Sequence, residues 1–128
     1  MVQRIEQSGI QFIDEQHLRL LDMIADAKLR LKGNERDKWC GLLTLLGQLE
    51  AYTEFHFADE EKWMKEVGCL MLEGQQKSHQ TFRNKVHEQI SVLGNEDENM
   101  LYSIVDFVEH WLISHINVEV VVFRQYSE

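Results

Sequence analysis

The chain has 128 residues, the length of one ordinary domain with a single hydrophobic core. Its 22 Asp and Glu outnumber its 13 Lys and Arg, and the net charge of −9 argues against nucleic-acid or anionic-membrane partners, because phosphate groups are bound by basic surfaces. The sequence has no proline and only seven glycines, so few residues interrupt a helix. This composition predicts an all-α protein and excludes all-β and collagen-like folds.

Turn signals divide the chain into four predicted helices. Short glycine-containing segments are typical of turns, and three of them separate long stretches that favour helix: Gly33-Asn34, Gly68 and Gly94-Asn95. Asn95, followed three residues later by Glu98, has the spacing of a capping box at a helix start. The predicted helices span residues 14–32, 36–66, 71–93 and 96–124. Since no linker or internal repeat interrupts them, residues 1–128 are predicted to form a single domain.

Apolar residues recur at alternating steps of three and four residues in each predicted helix, which places them on one face. In the first helix, for example, this series includes Ile13, Leu20 and Ile24. Helices with one apolar face, joined by short turns, bury those faces against each other. We therefore predict an antiparallel, up-down-up-down four-helix bundle.

One histidine interrupts the apolar face of each predicted helix, and Glu60 follows one of them by one turn. The four are His17, His56, His79 and His115. Antiparallel packing brings them to the same end of the bundle. Burial of four imidazoles and a carboxylate is costly without partners, and a metal ion removes that cost because both groups are ligands for Fe, Zn, Mn or Cu. His87 and His110 lie off these faces and are not predicted to be ligands.

The residues around these histidines resemble the hemerythrin family. The matching segments are Gly9-Ile10, Ile13-Asp14-Glu15-Gln16-His17, His56-Phe57-Ala58-Asp59-Glu60-Glu61, Met64, His79-Gln80-Thr81-Phe82 and Trp111-Leu112-Ile113-Ser114-His115-Ile116. They occur in the same order and spacing over nearly the whole chain. The resemblance implies a four-helix bundle that holds two irons bridged by two carboxylates and that binds or senses O2.

The resemblance also implies a role for each candidate ligand. His17 and His56 match the two histidines on the iron that binds O2. Glu60 matches one of the bridging carboxylates. His79 and His115 match two of the three histidines on the other iron.

Two expected ligands are replaced in this sequence. Gln75 stands four residues before His79, where the family has the third histidine, and Val120 stands five residues after His115, where it has a bridging aspartate. A glutamine offers only a weak amide oxygen, and valine offers no ligand atom. Each remaining set, two histidines with Glu60, has the composition of a non-haem Fe(II) site with open positions. One ion, an unequal pair of ions and a vacant site all stay open.

Glu119 lies one helical turn after His115 and repeats the spacing between His56 and Glu60. At this spacing its carboxylate could replace the missing aspartate, so a role for Glu119 as an additional ligand stays open beside that of Gln75. The interpretation we favour is a flanking glutamate at the protein surface.

The sequence thus predicts a non-haem iron-binding protein, not a multi-turnover enzyme, for O2, redox or NO sensing or for iron handling. Two alternatives stay open, a metal-free interaction module and a haem-binding variant that uses two of the face histidines. The expected partner is O2 or another small diatomic molecule, and a protein partner or a homo-oligomer stays open. No run reaches the roughly 18 apolar residues of a membrane span, and the start of the chain does not resemble a signal peptide, so a cytoplasmic location is expected.

Overall fold

The computed structural model describes residues 5–91 and 98–126. Four α-helices follow in chain order, and a short 3-10 helix ends the described chain: α1 Gln11–Arg30, α2 Glu35–Val67, α3 Leu72–Ser91, α4 Glu98–Phe123 and Arg124–Tyr126. Helix α2 packs against α1 and α3, and α1 packs against α4. The prediction of an all-α four-helix bundle is confirmed. The predicted cap at Asn95 lies outside the described residues.

Helix α1 begins at Gln11, three residues before the predicted start at residue 14. In the structure Asp14 lies within the first turn, and its carboxylate accepts hydrogen bonds from the segment before the helix. The Ser8 N–H and hydroxyl donate to Oδ1 at 2.8 and 2.9 Å, and the Gly9 N–H donates to Oδ2 at 3.1 Å. The aspartate therefore fixes the approach to the helix.

Both predicted turns in the described chain are present. Between α1 and α2, the Asn34 side chain caps α2 by accepting a hydrogen bond from the Asp37 N–H at 2.8 Å. Between α2 and α3, Gly68 has a φ of 69°, in the left-handed region that glycine adopts at low cost. The Cys69 N–H then donates to the Met64 carbonyl at 2.8 Å, which ends α2 and turns the chain into α3.

Two apolar clusters fill the inside of the bundle. The larger includes Leu20, Ile24, Leu46, Leu49, Phe57, Phe82, Leu101, Ile104, Val108 and Leu112. The smaller closes the other end and consists of Ile13, Met64, Cys69 and Phe123. Each fully buried side chain of this size contributes about 1.5–3 kcal/mol. In α1, α2 and α4 the candidate ligands lie between residues of the two clusters, so water is excluded from them on both sides.

Within the described residues, no helix combines the length and the apolar character needed to cross a membrane.

Candidate metal centre

Six polar side chains from all four helices meet between the two apolar clusters: His17, His56, Glu60, His79, His115 and Glu119. Five of these residues expose at most 1% of their surface, and the His115 side chain exposes 7%. The structure thus brings together the four predicted histidines and Glu60. It adds Glu119.

One half of the cluster, which we call the α1/α2 half, is built around His17 and His56. The His17 Nε2 lies 2.9 Å from Glu60 Oε2 and 2.9 Å from Glu119 Oε1. The His56 Nε2 lies 3.0 Å from the same Glu60 Oε2. One ligand atom from each of these four residues lies within 4.8 Å of all the others, which is close enough for them to share one ion.

The other half, which we call the α3/α4 half, is built around His79 and His115. The His79 Nε2 lies 3.3 Å from Glu60 Oε1, and the His115 Nε2 lies 3.0 Å from Glu119 Oε2. The two Nε2 atoms are 3.1 Å apart. These two histidines and the two glutamates form a second set of ligand atoms within 4.8 Å of one another.

Glu60 and Glu119 belong to both halves. Each carboxylate directs one oxygen to a histidine of the α1/α2 half and the other oxygen to a histidine of the α3/α4 half. A carboxylate that divides its oxygens in this way can bridge two cations. The two carboxylates therefore join the two sets of candidate ligand atoms into one cluster.

The favoured interpretation of Glu119 as a surface residue is wrong, because its side chain is 0% exposed. A step of four residues in an α-helix nearly completes one turn, so Glu119 stays on the face of α4 that carries His115. The sequence indicated this position, because His115 and Glu119 have the same spacing of four residues as His56 and Glu60. Val120 is also fully buried, and it supplies no ligand atom.

Two of the histidines are oriented through their outer nitrogens. The His79 Nδ1–H donates to Glu61 Oε2 at 2.8 Å. The His56 Nδ1–H donates to Gln16 Oε1 at 2.7 Å, and the amide of Gln16 in turn donates to Asp59 Oδ2 at 2.9 Å. Such partners fix the tautomer that leaves Nε2 free to bind a cation. Sequence reasoning missed these roles, because they depend on how neighbouring helices are rotated against each other.

The outer nitrogens of the other two histidines differ. The His115 Nδ1 is hydrogen-bonded to the Ser78 hydroxyl at 3.3 Å. The His17 Nδ1 is buried and has no hydrogen-bond partner among the described residues. Carboxylate partners make an imidazole a stronger ligand than neutral partners do. The two halves of the cluster therefore differ, because only the α3/α4 half has a histidine, His79, whose outer nitrogen is bonded to a carboxylate.

The remaining predicted residues lie outside this centre. His87 is exposed and pairs with Glu50 at 3.4 Å, and the His110 Nδ1–H donates to the Asp106 carbonyl at 2.9 Å. Gln75 is 8% exposed and lies in the wall of a groove beside His115.

The carboxylates keep their negative charge although they are buried. Burial acts to raise the pKa of Glu60, but the charge of His56 and hydrogen bonds from the facing histidines hold it well below its usual range. Burial acts to lower the pKa of His17, yet hydrogen bonds to Glu119 and Glu60 raise it to about 9. The pKa of His79 is about 9 for the same reasons. With protons as its only cations, the cluster neutralises its carboxylates by holding protons on imidazoles.

The residues present fit a cation better than they fit protons alone. The buried atoms Glu60 Oε1 and Glu119 Oε2 make no well-aligned hydrogen bond within the described chain, although imidazole nitrogens lie 3.3 and 3.0 Å away. The donors are imidazole nitrogens and carboxylate oxygens without a thiolate, a set that suits iron, manganese and zinc. A bound cation would supply the partner that these two oxygens lack.

Fold and site together define a four-helix-bundle protein with a histidine–carboxylate cation site. Residues 8–124 match the family described as hemerythrin HHE cation binding domain, and the chain belongs to the hemerythrin family. A bacteriohemerythrin of Clostridium acetobutylicum is 31% identical over 111 residues, which cover 84% of this chain and 85% of that protein. A bacteriohemerythrin of Pseudomonas aeruginosa strain LESB58 is 30% identical over 85% of this chain and 69% of its own. No solved structure matches the chain significantly. The family resemblance drawn from the sequence is confirmed.

Proposed function

We propose that this protein binds two non-haem iron ions, with Glu60 and Glu119 shared between them. His17 and His56 complete the donor set of the α1/α2 half, and His79 and His115 complete that of the α3/α4 half. The observation that carries this proposal is the division of each carboxylate's oxygens between the two histidine pairs. Glu119 takes the place of the bridging aspartate that the family resemblance places at Val120.

Iron supplies a reversible one-electron change and open positions for a small ligand such as O2, another diatomic molecule or an anion. The chain supplies the fixed surroundings. Phe57 stacks on the His79 ring at a centroid distance of 3.8 Å, and Trp111 stacks on the His115 ring at 4.6 Å. These contacts, with the hydrogen bonds to the outer nitrogens, hold the imidazole planes in place before an ion arrives.

The role we propose is ligand binding for O2, redox or NO sensing or for iron handling, and not multi-turnover catalysis. The support for O2 is the membership in the hemerythrin family, since the resemblance implies O2 binding. The metal-free alternative is disfavoured because two buried carboxylate oxygens have no well-aligned hydrogen-bond donor, although imidazoles lie beside them. The haem alternative is disfavoured because all four histidines direct Nε2 at two shared, buried carboxylates, which leaves no space for a porphyrin among them.

Metal analysis and a visible spectrum of the purified protein test the proposal. We expect two irons per chain, absorption from a non-haem centre and no Soret band. His56→Ala should remove high-affinity iron, whereas the matched variant His87→Ala should keep it, because His87 lies outside the cluster. Protein without iron after reconstitution, or a Soret band, would show that the assignment is wrong.

A further inference from the structure

A groove of about 480 Å³ runs between α3 and α4 on the surface of the bundle. Gln75 and Ser78 line it from α3, and Trp111, Ser114 and His115 line it from α4. The backbones of α3 and α4 approach each other less closely than those of the other neighbouring helix pairs do, and the stacked rings of Phe82 and Trp111 fill part of the space between them.

The groove reaches the metal centre at His115. This side chain is 7% exposed, whereas those of His17, His56 and His79 are 0–1% exposed. Among the four histidines, only His115 is in contact with the surface. The small exposed area limits entry to small molecules.

Gln75 forms the inner wall of the groove. It is 8% exposed, and its Oε1 atom has no hydrogen-bond partner among the described residues. The family resemblance implies a third histidine at this position, and a glutamine removes that nitrogen donor. The α3/α4 half therefore combines the loss of a histidine ligand with an approach from the surface at His115.

The charge of the groove wall favours an anion. None of the eight residues that line it is a carboxylate, although the chain has 22 Asp and Glu and a net charge of −9. The polar groups in the wall are two imidazoles, two hydroxyls, one amide and the indole N–H of Trp111. The Ser114 hydroxyl, the Trp111 indole N–H and the Gln75 amide N–H groups can donate hydrogen bonds to an anion. A small anion therefore avoids here the repulsion that it meets elsewhere on this protein.

We propose that this groove is the entry route and binding site for a small anionic ligand at the α3/α4 half of the centre. The proposal rests on the proposed iron site. It differs from what the family resemblance implies, since the resemblance places the small ligand on His17 and His56. In this chain the α1/α2 half is buried, because His17 and His56 are 0–1% exposed. The α3/α4 half, where Gln75 replaces a histidine, is the half that reaches the surface.

Azide is the first probe, added to the iron-loaded protein and followed by stopped-flow absorbance. Ser114→Phe fills the groove, and Ser103→Phe is the matched control, because Ser103 is exposed on the same helix outside the groove. We expect the association rate of azide to fall at least tenfold in Ser114→Phe and to stay unchanged in Ser103→Phe, with equal iron content in both. Equal association rates in the two variants would overturn the proposal.

A second measurement needs no iron and separates this inference from the proposed function. In the Trp39→Phe/Trp63→Phe background, Trp111 is the only remaining tryptophan and reports on the groove. We expect iodide to quench its fluorescence more strongly than caesium does, each relative to free tryptophan amide, and Ser114→Phe to lower the iodide quenching constant at least twofold. Stronger quenching by caesium, or no effect of Ser114→Phe, would overturn the groove assignment whether or not iron binds.

Discussion

Glu119→Gln is the sharpest test of the shared-carboxylate site. The substitution keeps the shape of the side chain and removes one negative charge from a residue that is 0% exposed. The carboxylate oxygens lie 2.9 Å from His17 Nε2 and 3.0 Å from His115 Nε2, so both halves of the centre lose an anionic ligand.

The size of the effect is estimated from Coulomb's law for a carboxylate close to a cation. Two unit charges about 3 Å apart attract by roughly 5.5 kcal/mol at an effective dielectric constant of about 20. The glutamine amide oxygen still offers a weak ligand, so we expect about half of this loss. A loss of about 2.7 kcal/mol corresponds to a roughly 100-fold weaker affinity for iron, since about 1.4 kcal/mol is a factor of ten.

Competition with a chelator of known affinity measures this change, and iron analysis gives the number of ions retained. Glu109→Gln is the matched control, because Glu109 lies on the same helix and pairs at the surface with Lys28 at 2.9 Å. Loss of the Glu109 charge should leave the affinity for iron unchanged. If Glu119→Gln binds two irons as tightly as the natural protein, the bridging role of Glu119 is refuted.

Four further predictions follow from the same contacts. Glu61→Gln should weaken iron binding about 10–100-fold in the chelator assay, because Glu61 orients His79 through a 2.8 Å hydrogen bond. The pKa values of His17 and His79 are raised to about 9, so both protonated histidines should stabilise the metal-free protein. This contribution to the free energy of unfolding should be complete below about pH 6.5 and should be lost as the pH rises through 9. Urea unfolding at several pH values measures it. Val120→Asp should lower the free energy of unfolding by about 3 kcal/mol without adding iron, because it buries a charge at a fully buried position where Glu119 already supplies the carboxylate. Gly68→Ala should lower the free energy of unfolding by about 1 kcal/mol, because Gly68 has a φ of 69° that alanine adopts at a cost. Gly47→Ala in α2 should raise the free energy of unfolding by up to about 1 kcal/mol, since a Cβ at this position meets no atom within 4 Å.

Much of the fold could be predicted from local sequence. The absence of proline and the apolar periodicity specify long helices, and glycine with asparagine at residues 33 and 34 specifies the first turn. Helix ends are less predictable, because an aspartate near a helix start can either cap the helix or accept hydrogen bonds from the segment before it. The choice between these depends on contacts with Ser8 and Gly9 that a residue pattern does not contain.

The inner ligands were more predictable than their supports. His17, His56, His79 and His115 interrupt apolar faces, and a buried polar residue on such a face is conspicuous in the sequence. Gln16 and Glu61 support the ligands by reaching a histidine on another helix, at 2.7 and 2.8 Å. Their roles depend on the rotation of one helix against its neighbour, which the periodicity of a single helix does not determine. The groove between α3 and α4 could not be predicted for the same reason.

Glu119 shows how helix geometry and family resemblance can disagree. In a regular α-helix each residue turns by about 100°, so a residue four positions after His115 is displaced by about 40° and a residue five positions after it by about 140°. The resemblance directed attention to the fifth position, Val120, whereas the 40° displacement keeps the fourth on the face of His115. The pair His56 and Glu60 has the same step, and both glutamates end 3.0 Å from the histidine one turn earlier. Two equal steps on two helices, α2 and α4, therefore bring two carboxylates into the cluster, and the proposed iron site needs no residue at Val120 to complete it.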